Sequence, residues 1–197
     1  MKLLATLTAL AAAIAARAQN ECYGASKSIA AYDRPFVGPL FYACKVELGN
    51  SVEAKQNPWI NKHCVAAAIA ASPPIFHDAL TCLIDNSNAV ELTPLSTWPS
   101  LDYNVYASIV GDCAWAPGGC PITQQNFIDL VYGAIAETET SGATWPKSAD
   151  ILIDYYLHPI FNWTAFDVSE GIPYVNFNDW LHWGPTVNHC TPTYQCT

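Results

Sequence analysis

Residues 57–85, NPWINKHCVAAAIAASPPIFHDALTCLID, carry the pattern from which the fold is read. Asn57 suits an N-cap, because its side-chain oxygen can accept from the free amides of a first helical turn. Pro58 suits the first helical position, where a missing N–H is no loss. The run predicts a helix over 58–71, rich in Ala. Ser72-Pro73 stops it, since the residue before a proline is pushed out of the helical region. A second helix is expected from Pro74 to Asp85. With Pro73 at the centre of a hairpin, Cys64 and Cys82 stand nine residues to either side. Positions equidistant from the turn face each other across an antiparallel pair, so this spacing predicts a Cys64–Cys82 disulfide.

The remaining cysteines extend that framework. The chain has 8 in 197 residues: Cys22, Cys44, Cys64, Cys82, Cys113, Cys120, Cys190 and Cys196. An even number in an exported chain reads as disulfides. Cys113 and Cys120 bracket Ala-Trp-Ala-Pro-Gly-Gly, a loop of turn formers, and are expected to pair with each other. Cys22, Cys44, Cys190 and Cys196 are left for the termini, in no fixed order. Zinc is the other use of cysteine, but no Cys-x2-Cys pair is present and the His are scattered, so no metal or other cofactor is expected.

Export is legible at the N-terminus. Met1-Lys2 gives a positive start, Leu3 to Ala16 an apolar run, and Ala16-Arg17-Ala18 small residues at the cleavage positions. These are the three parts of a secretory signal peptide over 1–18. The run is shorter than the roughly 20 residues a spanning helix needs, and no later run is longer, so no membrane association is expected. The mature part, 19–197, is read as one secreted helical domain. Its first segment, 19–57, is expected to be irregular.

Charge narrows the function classes. Charged residues make up 13% of the chain, 17 acidic against 8 basic, where an ordinary soluble protein has roughly 25%. From residue 63 onward one basic residue, Lys147, faces thirteen acidic ones. Nucleic-acid binding needs basic residues to displace phosphate counterions, so it is excluded as a function.

Beyond the opening stretch, Gln124 to Thr138 is the clearest helix. Phe127, Leu130, Val131, Ala134 and Ile135 paint one face, Thr123 is its N-cap, and Ile122 and Phe127 sit where a hydrophobic staple needs them. Two Thr-Trp-Pro units, at 97–99 and 144–146, lie 47 residues apart. At that offset eight of the 26 residues from Pro74 to Pro99 are identical to their counterparts, which suggests a duplicated helix-loop-helix unit. The tryptophans of these units are expected in the core. Leu101 to Val110 also suits a strand, but Pro99 before it and Gly111 after it favour a helix. The aromatic, Pro-rich residues 159–197 read as irregular coil packed on the body, with a short helix near Asn178 to Trp183. The expected fold is therefore mainly α, a compact disulfide-braced bundle. Asn162-Trp163-Thr164 is a glycosylation sequon, which puts Asn162 on the surface.

Chemistry is sparse. There is no Gly-x-Ser-x-Gly elbow, no His-Glu-x-x-His helix and no phosphate-binding glycine loop. Asp179 and His182 are three apart and can meet on one helix face, as a carboxylate orienting a general base or as an ordinary structural pair. Asp150 and Asp154 lie one turn apart and read as a solvated surface, and His77-Asp78 as charges at a helix start.

The Ala-rich signal, the Ala16-Arg17-Ala18 site, the acidic mature chain, the expected disulfides and the sequon are those of a small secreted protein of a filamentous fungus. In size and character the chain resembles the small, non-catalytic subunit of heterodimeric fungal laccases. That resemblance implies a partner role beside a large copper oxidase. The chain has no His-x-His copper pair, only His182-Trp183-Gly184, and no functional residue is carried over. The leading expectation is a secreted binding or accessory protein whose partner is a larger extracellular enzyme or a host protein. The rivals are a secreted hydrolase using Asp179 and His182 in an aromatic cleft, and a secreted effector or toxin.

Overall fold

In the computed structural model the described residues are 22–30, 35–49, 52–82, 92–117, 119–138 and 145–183. Residues 1–18, read above as a signal peptide, Cys190, Cys196 and the end of the second expected helix lie outside them. Among the described residues the fold is helical, and the one β feature is a bridge between Ile122 and Ile172.

One helix organises the rest. α4 (Lys62–Ala71) is buried along its whole length from His63 to Ala71. A helix that is apolar all round must be covered all round. Its cover is α2 (Val37–Leu48), α5 (Pro73–Cys82), α7 (Gln124–Glu137) and the π-helical turn Ile153–Leu157. The five alanines of α4 let these neighbours approach closely. Trp59, Phe76 and Phe41 pack around it as an aromatic layer, with ring centroids 5.5 Å and 5.8 Å apart.

The start of this region differs from expectation. Asn57 makes no side-chain cap, and Pro58–Ile60 is a single 3-10 turn. The cap is Asn61, whose Oδ1 accepts from His63 N at 2.8 Å and Cys64 N at 3.4 Å. Nor do α4 and α5 form an antiparallel hairpin. One residue, Ser72, joins them at a positive φ of 78°, and the axes turn through 112°. A one-residue link leaves no length for the chain to reverse on itself, so α4 and α5 make a corner.

That corner overturns the Cys64–Cys82 expectation. Cys64 pairs with Cys44 on α2, and Cys82 pairs with Cys22 on α1 (residues 22–29). Cys113–Cys120 is present as expected.

The segment expected to be irregular holds α1, α2 and the short α3 (Val52–Lys55). Pro39 sits in the first turn of α2, where an amide has no intrahelical partner anyway. The aromatic tail is also more helical than expected. Ala149–Leu152 (α8) runs through the π turn into His158–Thr164 (α9), and α10 spans Tyr174–Leu181. Pro159 cannot donate to the carbonyl one turn back, and the wider π turn accommodates the misfit without a break.

α7 has the expected cap. Thr123 N donates to Asn126 Oδ1 at 3.0 Å and Asn126 N to Thr123 Oγ1 at 3.2 Å. Ile122 and Phe127 are both fully buried. Leu101 to Val110 is helical as expected: α6 spans Tyr103–Val110, is capped by Asp102 and ends at Gly111 with φ 82°. Both Trp-Pro units lie between two helices, α5 and α6 for the first, α7 and α8 for the second. The two tryptophans differ: Trp98 is buried beside Trp59 and His77, whereas Trp145 is exposed and stacks on Tyr132.

Candidate functional site

His182 lies at the C-terminal end of α10, one turn after Asn178 and two after Tyr174. These three side chains grip the stretch 98–101. His182 Nε2 lies 2.9 Å from Trp98 O and 3.0 Å from Pro99 O, and its Nδ1 lies 2.6 Å from Asn178 O. Asn178 Oδ1 accepts from Leu101 N at 2.8 Å, and the Tyr174 hydroxyl donates to Leu101 O at 2.5 Å. Both ring nitrogens of His182 thus face backbone carbonyls, and the ring is buried. A ring so engaged latches α10 to the body and has no nitrogen free to move a substrate proton. Asp179 is half-buried on the same helix. Asp150 and Asp154 are exposed, and Asp154 Oδ1 lies 3.6 Å from His158 Nδ1. His77 Nε2 lies 3.0 Å from Thr93 O, and its Nδ1 is 3.3 Å from Asp78 Oδ1. Asn162 is exposed on α9, while the sequon's Thr164 is fully buried and donates to Ile160 O at 2.9 Å.

Elsewhere four rings pack together, of which Trp115 and Tyr103 are exposed, Tyr174 is half-buried and Tyr106 is buried. Tyr103 and Tyr106 project from α6, Trp115 from the 3-10 turn Asp112–Trp115, and Tyr174 from the start of α10. Tyr103 lies at the centre, with centroids 5.2 Å from Tyr106, 5.1 Å from Trp115 and 5.3 Å from Tyr174. Their hydroxyls point inward. Tyr103 donates to Ala114 O at 2.8 Å, and Tyr106 donates to Cys120 O while accepting from Cys120 N. Tyr103 therefore turns its ring, not its hydroxyl, to the surface, while the Tyr106 ring is buried. Trp115 is 60% exposed although the Cys113–Cys120 bond closes its loop. Gly119, at φ 63°, is required there, because a Cβ would meet the Tyr106 hydroxyl at 3.1 Å. Burial raises the Tyr106 hydroxyl above its ordinary pKa, opposed by the Cys120 contact. Burial raises that of Tyr174 too, and the neighbouring Tyr103 and Asp102 add to it.

A groove of ≈ 570 Å³ runs on from Tyr174, lined by Cys120, Pro121, Phe166, Glu170, Gly171 and Pro173. Next in sequence to its Pro121 and Gly171 is the Ile122–Ile172 bridge, closed by bonds of 2.8 and 2.9 Å. Gly171, at φ 73°, makes this possible, since a Cβ would lie 3.0 Å from Ile122 O.

Comparison with known proteins finds no relative. No family model, no curated protein and no solved structure matches the chain. The site must therefore be read from its own geometry.

A second cluster lies where the C-terminal ends of α2 and α7 meet the start of α4. His63 Nδ1 is 2.9 Å from Glu47 Oε1, and its Nε2 is 3.4 Å from Glu137 Oε2. Neither contact has the alignment of a hydrogen bond. Lys62 Nζ holds the other oxygen of Glu137 at 2.6 Å, and Asn61 Nδ2 donates to the other oxygen of Glu47. These residues line an open groove of ≈ 580 Å³ together with Asp102, Asn104 and Ser108. Among the described residues no three His, Cys, Asp or Glu side chains are placed to hold a metal ion.

Glu47, His63 and Glu137 come from three helices far apart in sequence, and no local spacing marks them. Trp115 left a trace, as the one large apolar residue inside a cysteine-bracketed turn.

Proposed function

We propose that the protein is a secreted, non-catalytic binding protein that acts as an accessory partner of a larger extracellular protein, and that Tyr103, Trp115 and Tyr174 form its contact face. The observation that carries this reading is Trp115, left 60% exposed on a loop that a disulfide and a hydroxyl network hold rigid. Binding hot spots are enriched in Trp and Tyr. A ring already fixed in place loses little freedom when it binds. Burying the exposed part of one such ring contributes about 3 kcal/mol.

Export is supported by the signal-like start and by three disulfides, which form and persist in oxidising compartments. Among the described residues no single helix is long and apolar enough to cross a membrane. The compositional likeness to the small laccase subunit makes a secreted copper oxidase the first partner to try.

The test is native size analysis of culture fluid. The wild-type chain is expected to elute in a complex, and Trp115→Ser to elute alone after losing about 100-fold in affinity. Trp145→Ser, which alters a different exposed ring, should leave the complex intact. Identical elution of wild type and Trp115→Ser would sink the assignment.

A further inference from the structure

The tyrosine hydroxyls of the ring cluster are satisfied by backbone oxygens. Tyr103 donates to Ala114 O, Tyr106 to Cys120 O and Tyr174 to Leu101 O. The exposed part of the cluster therefore offers ring surface, chiefly from Trp115 and Tyr103. One donor remains. Trp115 packs on Tyr103, and among the described residues its indole N–H has no acceptor.

The groove that runs on from Tyr174 continues this chemistry. Pro121, Phe166, Gly171 and Pro173 line it, and among the lining residues one is charged, Glu170. Glu170 is exposed, and no cation among the described residues lies within ion-pair reach of it. The rest of the chain keeps the same sign, since from residue 63 onward Lys147 is the one fixed cation. An apolar channel with an unpaired carboxylate on it fits an apolar segment that carries a positive charge.

A polyproline II segment matches the remaining features. Its prolines stack their ring methylenes on aromatic faces, and its carbonyls call for donors while its prolines supply no N–H. It is pre-formed, so it loses little freedom on docking. A sugar also stacks on rings, but its hydroxyls would find few polar partners between Pro121, Phe166, Gly171 and Pro173.

We propose that the face of Trp115, Tyr103 and Tyr174, with the groove beyond it, docks a proline-rich segment of the partner protein in the polyproline II conformation. Trp115 Nε1 donates to a carbonyl of that segment, and a lysine or arginine of the segment sits on Glu170. This inference rests on the aromatic face being the contact face, and it names what the partner presents there.

The test titrates the full, disulfide-bonded protein with dye-labelled peptides, followed by fluorescence anisotropy. Each has about ten residues, roughly three turns of polyproline II. One carries Pro-Pro-Leu repeats ending in Arg, a second ends in Glu instead, and a third has Ala for every Pro. The Arg peptide is expected to bind, the Glu peptide to bind about fivefold more weakly, and the Ala peptide to show no binding. Glu170→Gln alters an exposed side chain and should erase the difference between the first two. Trp115→Ser should weaken both about 100-fold, and Trp145→Ser should change neither. The proposal is overturned if the Ala peptide binds as well as the Arg peptide, if Glu170→Gln leaves the preference for Arg intact, or if a chitin or cellulose oligosaccharide binds at Trp115 and the peptides do not. Should no peptide bind while Trp115→Ser still breaks the complex in culture fluid, the proline-rich segment is refuted and the contact face stands. Should that complex also survive Trp115→Ser, both readings fall.

Discussion

Replacing Cys44 by Ala tests the architecture at its most constrained point. The Cys44–Cys64 bond closes a 20-residue loop and joins α2 to α4, the buried helix that α2, α5, α7 and the π turn cover. Closing a loop of that length restricts the unfolded chain enough to stabilise the fold by about 3 kcal/mol. For a protein of this size each kcal/mol shifts the melting temperature by about 2–4 °C. Cys44→Ala is therefore expected to melt about 6–12 °C lower, still folded. The assay pairs a thermal melt with thiol tagging in denaturant without reductant, read by peptide mass. In wild type none of Cys22, Cys44, Cys64, Cys82, Cys113 and Cys120 should take the tag. In Cys44→Ala the tag should appear at Cys64, with Cys22, Cys82, Cys113 and Cys120 still protected. A tag at Cys82 or Cys22 would refute the pairing, and a tag at Cys64 with an unchanged melt would refute the loop argument.

Three other outcomes follow from particular residues. Ser72 holds φ 78° and ψ 147° at the α4–α5 corner, a region that suits glycine, so Ser72→Gly should stabilise by about 1 kcal/mol in a urea titration even though glycine loosens the unfolded chain. Tyr106 and Tyr174 bind their protons more tightly folded than unfolded, so their contribution is complete below the ordinary tyrosine value of 10.0 and is lost as pH rises through the raised folded values. Urea unfolding in that alkaline range should show the loss, and Tyr106→Phe should lessen it. At the sequon, Asn162→Gln should remove a glycan with little change in stability, whereas Thr164→Ala removes the glycan and also costs about 1–2 kcal/mol, because the buried hydroxyl donates to Ile160 O; both are read by glycosidase shift and thermal melt.

Much of the helical content was legible because it is written in local terms. Thr123, Asn126 and the apolar stripe behind them lie within one sequence window, and so do Gly111 and the Cys113–Cys120 turn. The missed features depend on direction or distance. Equal spacing about Pro73 says nothing of the angle at Ser72, and that angle decides whether Cys64 meets Cys82 or Cys44. Pro159 and Pro173 belong to the tail that reads as irregular, yet the first sits beside a π turn and the second caps α10, where the lost donor is tolerated. His182 was visible beside Asp179, but its true neighbours, Trp98 O and Pro99 O, are more than eighty residues away. Glu47, His63 and Glu137 are brought together only by helix packing.

The grip of α10 on residues 98–101 also orders events in time. Its bonds join positions 73, 77 and 84 residues apart. Contacts of such separation are slow to form, because the intervening chain must first be confined. During synthesis the carbonyls of Trp98, Pro99 and Leu101 wait for residues 174–182 to emerge, so the half built around α4 assembles before its last clasp is available. A chain stopped short of His182 would then keep much of its helix content while leaving that strip of backbone open to water, to chaperones or to another copy of itself.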